Sequence, residues 1–144
     1  ARLKDLFVTF HLYKSCYSIV LERLLYRSKA TNTLGSLHLF NMLSEARAKN
    51  ARLGITGHLL YADGAYTQCI EGPPEAIEVL WQTLLKDPRH EAISVISRQP
   101  VTARRFKEWA MAFSSYRYLN ELNMPGFFPL DVNGQSEKSL LCSG

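Results

Sequence analysis

The sequence predicts an α+β fold in which two helices cover one face of a five-stranded mixed sheet. Three observations predict it. Two segments carry apolar residues at helical spacing, whereas five short segments are rich in β-branched, aromatic and aliphatic residues. The dipeptide Asp63-Gly64 lies between two of these short segments, as in a tight β-hairpin. The resulting order, βαββαββ, is the ferredoxin-like arrangement with one added strand.

Length and composition are typical of one globular domain. The chain has 144 residues, 47% of them hydrophobic, and a net charge of +4. No run of like charges indicates a nucleic-acid surface, and no apolar stretch reaches the ~20 residues of a membrane span. Three widely separated cysteines and four scattered histidines have no metal-ligand spacing, so no metal site is expected. These features favour a cytoplasmic protein that contacts neither nucleic acid nor membrane.

The first strand and helix follow a segment whose pattern is ambiguous. Residues 1–20 are interpreted as an N-terminal extension or linker, and residues 21–28 as the first strand. Ser36 is the predicted N-cap of a helix over residues 37–50. Asn50 continues the apolar face of that helix, so we expect its amide to point at the core.

The hairpin within residues 54–72 carries an informative polar residue. Side chains alternate between the faces of a strand, so Tyr66, Gln68 and Ile70 point the same way. If this is the core face, Gln68 is a neutral amide among apolar neighbours. A buried amide is costly unless it is paired, so a polar group must lie opposite Gln68.

The second half of the domain contains the remaining helix and two strands. A helix is predicted over residues 74–86, a fourth strand over 92–97, and a fifth over 109–114 with alternate side chains on one face. The domain is expected to span residues 21–118. Residues 119–144 are interpreted as a C-terminal extension or tail, with a short helical piece near residues 120–124 and loop after it.

Several polar or polarisable side chains converge on the gap between sheet and helices. Tyr26, Asn50 and Gln68 are expected to point into the gap, and Trp109 and Met111 on the fifth strand to border it. Each alone is more often an ordinary core or capping residue. Together they fit a planar heterocycle such as a flavin, because Asn and Gln offer both donors and acceptors to its uracil-like edge.

Three basic residues lie near the same gap in the predicted fold. Arg89 and His90 follow the second helix, where such residues more often form a solvated helix terminus. Arg89 or Lys49 is placed to meet the polar edge of the heterocycle or a phosphate. The residues alone do not choose between these two contacts.

Two other classes of function remain open at this point. The chain has no GxSxG, Walker A or GxGxxG motif, but a ferredoxin-like hydrolase of the acylphosphatase kind would need only an Arg and an Asn. A pure dimerisation module is the other alternative. Colour separates these alternatives from a flavoprotein, because both would purify colourless.

The sequence resembles the BLUF domains, the blue-light sensors that use FAD. The resemblance covers residues 21–114 and keeps the order and spacing of the family's motifs. It is carried by LLYRSKAT at 24–31, ARAKNARLGITGHLLY at 46–61, GAYTQCIEG at 64–72, KDPRH at 86–90 and RRFKEWAM at 104–111.

This resemblance implies a photochemical role for several of the residues named above. Tyr26 matches the tyrosine that gives an electron and a proton to photoexcited flavin, and Gln68 the glutamine that then changes its hydrogen bonds. Asn50 matches the residue that holds the pyrimidine edge. Met111 matches a methionine near the glutamine, and Trp109 a tryptophan linked to output. The domain would not itself be an enzyme.

The remaining implications concern the pyrimidine end, the partner and two departures from the family pattern. Arg89 and His90 fall where the family places residues near the pyrimidine end. Ala110 replaces a frequent serine, and Lys49 stands where Asn or His is frequent. Neither departure touches the Tyr26–Gln68 pair. The expected partner is a downstream signalling protein or a fused effector, reached through the fifth strand, and a homodimer is expected.

Overall fold

The computed structural model describes residues 20–130, which form one sheet and two long helices. The predicted extension therefore lies outside the described residues except for Val20, and so does the tail after Leu130. In chain order the elements are β1 (Leu21–Ala30), α1 (Ser36–Leu53), β2 (Thr56–Ala62), β3 (Ala65–Gly72), α2 (Pro74–Lys86), β4 (His90–Val101), β5 (Ala112–Ser114) and a 3₁₀ turn (Arg117–Leu119).

The five strands lie in the order β4-β1-β3-β2-β5. All neighbouring strands are antiparallel except β2 and β5, which are parallel, so the sheet is mixed. This arrangement confirms the predicted ferredoxin-like fold. The central strands β1 and β3 place Tyr26 directly opposite Gln68, and paired residues share a face of the sheet.

One hydrophobic core fills the space between the helices and the sheet. Leu39 and Leu43 of α1 and Ile77 of α2 are buried in it with Leu24 and Ile70 of the sheet. These helical residues have the spacing of a single apolar stripe, which explains why both helices lie flat on the strands. Within the described part of the chain no helix is long and apolar enough to cross a bilayer.

The bounds of α1 differ from the prediction at both ends. Ser36 is the first helical residue and not the cap, because Gly35 occupies the N-cap position without a side-chain hydrogen bond. The helix continues beyond Asn50 to Leu53. It ends at Gly54, whose φ of 69° is a left-handed conformation that glycine adopts without steric cost.

The edge strand β4 extends beyond the predicted residues 92–97 at both ends, and β-bulges interrupt its pairing with β1. Its register against β1 shifts between Leu25 and Tyr26 and again between Arg27 and Lys29. Ala92 near its start has a φ of 52°. Both shifts fall opposite residues 91–97 and so largely within the predicted part of β4. The C-terminal part that the prediction missed contains Pro100, which is unfavourable inside a sheet but is tolerated on an edge strand.

The strand predicted over residues 109–114 is shortened to Ala112–Ser114. Two of the three preceding carbonyls, those of Ala110 and Met111, bind side chains of α1 instead of a strand. The carbonyl oxygen of Trp109 accepts a hydrogen bond from the Gly57 amide, and that of Ala110 accepts one from the Asn50 side chain. These residues follow the sheet edge without forming a ladder, so their side chains do not alternate as predicted.

The C-terminal segment, residues 124–130, forms no helix or strand, in agreement with the loop predicted there, but it is packed on the domain. The Phe113 amide donates to the Gly126 carbonyl, the Phe128 amide to the Phe113 carbonyl, and the Leu130 amide to the Ser115 carbonyl, at 2.8–3.0 Å. The helical piece predicted near residues 120–124 is wrong, because the single 3₁₀ turn precedes it.

Candidate functional site

A cleft between the two helices and the sheet brings together most of the predicted site residues. It encloses about 850 Å³, part of it open to solvent. Six predicted site residues line it, namely Tyr26, Lys49, Asn50, Gln68, Arg89 and His90.

A buried hydrogen bond joins Tyr26 to Gln68 at the inner end of the cleft. The Tyr26 phenol, 2% exposed, donates to Oε1 of Gln68, which is 6% exposed. The other end of the amide, Nε2, lies 3.5 Å from Sδ of Met111, a weak acceptor that is itself fully buried. The polar partner that Gln68 required is therefore Tyr26.

The surroundings of Tyr26 keep its phenol protonated. Burial raises the pKa of Tyr26 far above its ordinary value, and the charge of Asp87 acts in the same direction. The Trp81 ring lies 5.4 Å from the Tyr26 ring, centroid to centroid, and encloses it from the α2 side. Tyr26 is thus a neutral hydrogen-bond donor at physiological pH.

A second phenol, that of Tyr66, lines the cleft and was not predicted as a site residue. Burial raises the pKa of Tyr66 to about 12, with a smaller contribution from Tyr61. The signal for it was in the sequence, because Tyr66 lies two residues before Gln68 and so on the same strand face.

Asn50 presents an unsatisfied atom at the cleft. Its side chain is 2% exposed, and its Nδ2 donates to the Ala110 carbonyl at 2.9 Å. Among residues 20–130, no donor reaches its Oδ1. A buried amide oxygen without a donor is costly, so a ligand N–H in the cleft would satisfy it. Asn50 is therefore more than a helix-capping residue.

Arg89 and Lys49, two basic residues at the cleft, differ in their ion pairs. The Arg89 guanidinium binds both carboxylate oxygens of Asp87 at 2.6–3.0 Å and lies 3.7 Å from Glu45. The hydrogen bond to Asp87 is the main reason why the pKa of Arg89 is raised. Lys49, in contrast, forms no ion pair within residues 20–130, which leaves its ammonium available to a ligand.

His90 has both ring nitrogens engaged. Its Nε2 lies 2.6 Å from the Leu84 carbonyl, and its Nδ1 lies 2.7 Å from Oγ of Ser28. A carbonyl can only accept, so Nε2 carries the hydrogen, and a neutral ring accepts at Nδ1 from the Ser28 hydroxyl. His90 therefore ties α2 to β1 along the cleft wall.

The prediction that Trp109 borders the gap is wrong. Its ring lies 5.7 Å from the Arg47 guanidinium carbon and 6.5 Å from the Phe128 ring, and it is not part of the cleft lining. Met111, which the sequence also placed at the border of the gap, contacts Nε2 of Gln68 but is not part of the cleft lining.

A buried carboxylate fixes the connection between β4 and β5. Glu71 is fully buried on β3 and forms a 2.8 Å ion pair with Arg23. The backbone amides of Arg105 and Phe106 also donate to it at 2.8–2.9 Å. This clamp anchors the chain shortly before it reaches Met111. Sequence reasoning missed Glu71 because its partners are distant along the chain.

The arrangement fits a planar heterocycle with alternating donors and acceptors. Polar groups of Tyr26, Gln68 and Asn50 gather at one end, and Leu59 and Leu80 contribute apolar walls. Within the described residues no cluster of potential ligands can hold a metal ion. Binding of an aromatic ring system followed by rearrangement of hydrogen bonds is chemistry that this cleft supports.

Comparisons with known proteins identify one family. The family described as "BLUF: Sensors of blue-light using FAD" matches residues 21–112. The photoactivated adenylate cyclase subunit beta of Euglena longa is 35% identical over 121 residues, which cover 83% of this chain. The match covers only 14% of that relative, so the chain spans a small part of the curated protein.

Two solved structures share the fold. The dark-state structure of BlrB, a BLUF protein, has a TM-score of 0.65 at 38% identity, over 71% of this chain and 77% of that one. A bacterial light-regulated adenylyl cyclase has a TM-score of 0.67 at 31% identity, over 84% of this chain and 32% of that one. The family match, these structures and the buried Tyr26–Gln68 pair agree, and the chain belongs to the BLUF family of FAD-using blue-light sensors.

Proposed function

We propose that Tyr26 and Gln68 form the light-operated switch of this domain. A flavin bound in the cleft would supply light absorption and would take up one electron and one proton. Tyr26 would give the electron and its phenolic proton, and the Gln68 amide would take that proton at Oε1 while it releases another from Nε2. The observation that carries this proposal is the buried hydrogen bond from the Tyr26 phenol to Oε1 of Gln68.

Gln68 suits the switch because its two amide ends are not equivalent. In the present arrangement Oε1 faces Tyr26 and Nε2 faces Met111. Rotation or tautomerisation of the amide exchanges donor and acceptor without moving a net charge through the apolar core. The cleft then has two hydrogen-bond arrangements, which is the bistable element that a light signal needs.

The cofactor is held by the residues around this pair. Asn50 Oδ1 would accept a hydrogen bond from the pyrimidine N–H, and Lys49 would meet a polar group of the ring system. Arg89 reaches the same end only if it loosens its contacts with Asp87, and His90 keeps the wall of the cleft in place through Ser28 and Leu84. The fit of FAD rests on the polar end and apolar walls of the cleft, and no favourable observation remains for the hydrolase.

The output of the domain passes to an effector or a signalling partner. Relatives named as photoactivated adenylate cyclases contain a matching region within much longer chains. By analogy, this domain acts on a fused effector or on a separate protein. The homodimer and the cytoplasmic location stay predictions from the sequence.

Absorption spectra before and after blue light test this function. A flavin spectrum with a thermally reversible red shift is expected from the full chain. Tyr26→Phe and Gln68→Leu should keep bound FAD but lose the normal shift. Tyr116→Phe is the matched control, because this partly exposed phenol contacts Asp63 away from the cleft. A colourless protein that refuses added FAD would refute the proposal.

A further inference from the structure

Arg47 on α1 bridges two distant parts of the chain. Its Nε donates to the Met111 carbonyl at 2.9 Å, and its Nη2 donates to the Pro125 carbonyl at 2.7 Å. Within residues 20–130, this guanidinium forms no ion pair. Its fork therefore serves to hold two backbone carbonyls at a fixed separation, which the single ammonium of a lysine does not reproduce.

Of the two carbonyls, one belongs to the residue that contacts Gln68 and the other to the C-terminal segment. The sulfur of Met111 contacts Nε2 of Gln68, so the position of Met111 depends on which end of the Gln68 amide faces it. Pro125 lies in the C-terminal segment, which is attached to β5 by the amides of Phe113, Phe128 and Leu130. A shift of Met111 is therefore a shift of one of the two anchors of Arg47.

The residues around Arg47 are closely packed, so there is little free space beside its two hydrogen bonds. Gly126, the residue after Pro125, has a φ of 79° and lies between Arg47 and Trp109. A Cβ on it would approach Nη2 of Arg47 to 2.9 Å and Cε3 of Trp109 to 2.8 Å. The Trp109 ring in turn lies under the guanidinium. Close packing of this kind transmits a displacement instead of absorbing it.

We propose that Arg47 is the positioning residue that couples the Gln68–Met111 contact to the C-terminal segment. The inference rests on the proposed function, because the amide of Gln68 must change its hydrogen bonds for a signal to exist. When it does, Met111 moves and the hydrogen bond from Arg47 to the Met111 carbonyl is distorted. The hydrogen bonds between residues 126–130 and β5 weaken as a result.

Amide hydrogen exchange, measured by NMR on the flavin-loaded full chain in the dark and under blue light, tests this. The reporters are the Phe113, Phe128 and Leu130 amides. In the wild type, light should raise their exchange rates. Arg47→Gln should raise their dark rates about 10-fold and remove the further rise in light, while the flavin red shift persists. Arg52→Gln on the exposed side of α1 is the control and should behave as the wild type.

The possible results separate this inference from the proposed function. Arg47→Gln with wild-type dark rates, or with the full light response of these amides, overturns the coupling role. So does a wild type that shows the red shift without any change at the three amides, and in that case the photosensory function stands. A wild type that binds flavin but gives no red shift overturns the function and the coupling together.

A second variant keeps the test available if Arg47→Gln does not fold. Gly126→Ala changes no residue of α1 or of the cleft, but it places a methyl group against Arg47 and Trp109 and strains the backbone, because φ at this position is 79°. It should push the C-terminal segment away from the guanidinium and raise the dark exchange of Phe128 and Leu130 as Arg47→Gln does. Unchanged exchange in this variant would show that the segment is held independently of Arg47.

Discussion

The hydrogen bond between Tyr26 and Gln68 can be tested by removing its partners separately and together. Tyr26→Phe deletes only the phenolic oxygen, and it leaves Oε1 of Gln68 without its donor in a site where both side chains are buried. Gln68→Leu deletes the amide and leaves the phenol without its acceptor. An unsatisfied buried polar group costs about 1–3 kcal/mol, so we expect each variant to lose about 2 kcal/mol of unfolding free energy.

The double variant should lose less than the sum of the single ones. Tyr26→Phe with Gln68→Leu removes both polar groups, and replacing both partners by apolar groups costs less than leaving one of them buried without a partner. The sum of the single losses is about 4 kcal/mol, so a double loss near 2 kcal/mol gives a coupling of about 2 kcal/mol. Coupling of this size is expected only if the two side chains are direct partners.

Urea unfolding of the four proteins at a fixed excess of FAD measures these losses. The FAD dissociation constant of each variant is determined in parallel, because a ligand that binds only the folded state adds to its apparent stability. Tyr116→Phe should leave both the midpoint and the light response unchanged. Additive losses, after correction for FAD binding, would refute the direct hydrogen bond.

Three further predictions follow from the site and its supports. Burial lowers the pKa of His58, which bonds Ser114 on β5, to about 4. As pH falls, His58 therefore takes up a proton in the unfolded chain before it does so in the folded one, and the free energy of unfolding should fall by up to roughly 3 kcal/mol between about pH 6.5 and pH 4. Urea unfolding at several pH values measures this fall, which His58→Gln should reduce. The same fall in the variant and the wild type would contradict the assignment to His58. Glu71→Gln breaks the pair with Arg23 and should cost about 3 kcal/mol in the same assay, whereas exposed Glu75→Gln should cost nothing measurable, and equal effects would exclude the clamp. Lys49→Gln should raise the dissociation constants of riboflavin, FMN and FAD equally, by about 5-fold at low salt. A loss of affinity confined to FMN and FAD would place Lys49 at a phosphate instead.

Patterns that repeat within a few residues were predictable. Strand alternation placed Gln68 on the core face, and helical spacing placed Asn50 on the buried side of α1. The motif around Tyr26 completed the site through its resemblance to the BLUF family. These predictions succeeded because local periodicity decides which way a side chain points once the sheet and helices form.

Contacts between distant segments were not predictable, because they depend on which atoms the fold brings together. Among the carbonyls of residues 109–111, that of Trp109 binds the Gly57 amide of β2, whereas those of Ala110 and Met111 bind the side chains of Asn50 and Arg47, so β5 is short. Trp109 is not part of the cleft lining. The sequence by itself determined the order of the strands and helices and the burial of Tyr26, Gln68 and Asn50. Only the tertiary structure decided the packing of the C-terminal segment and the bridge of Arg47, because backbone carbonyls carry no sequence signal.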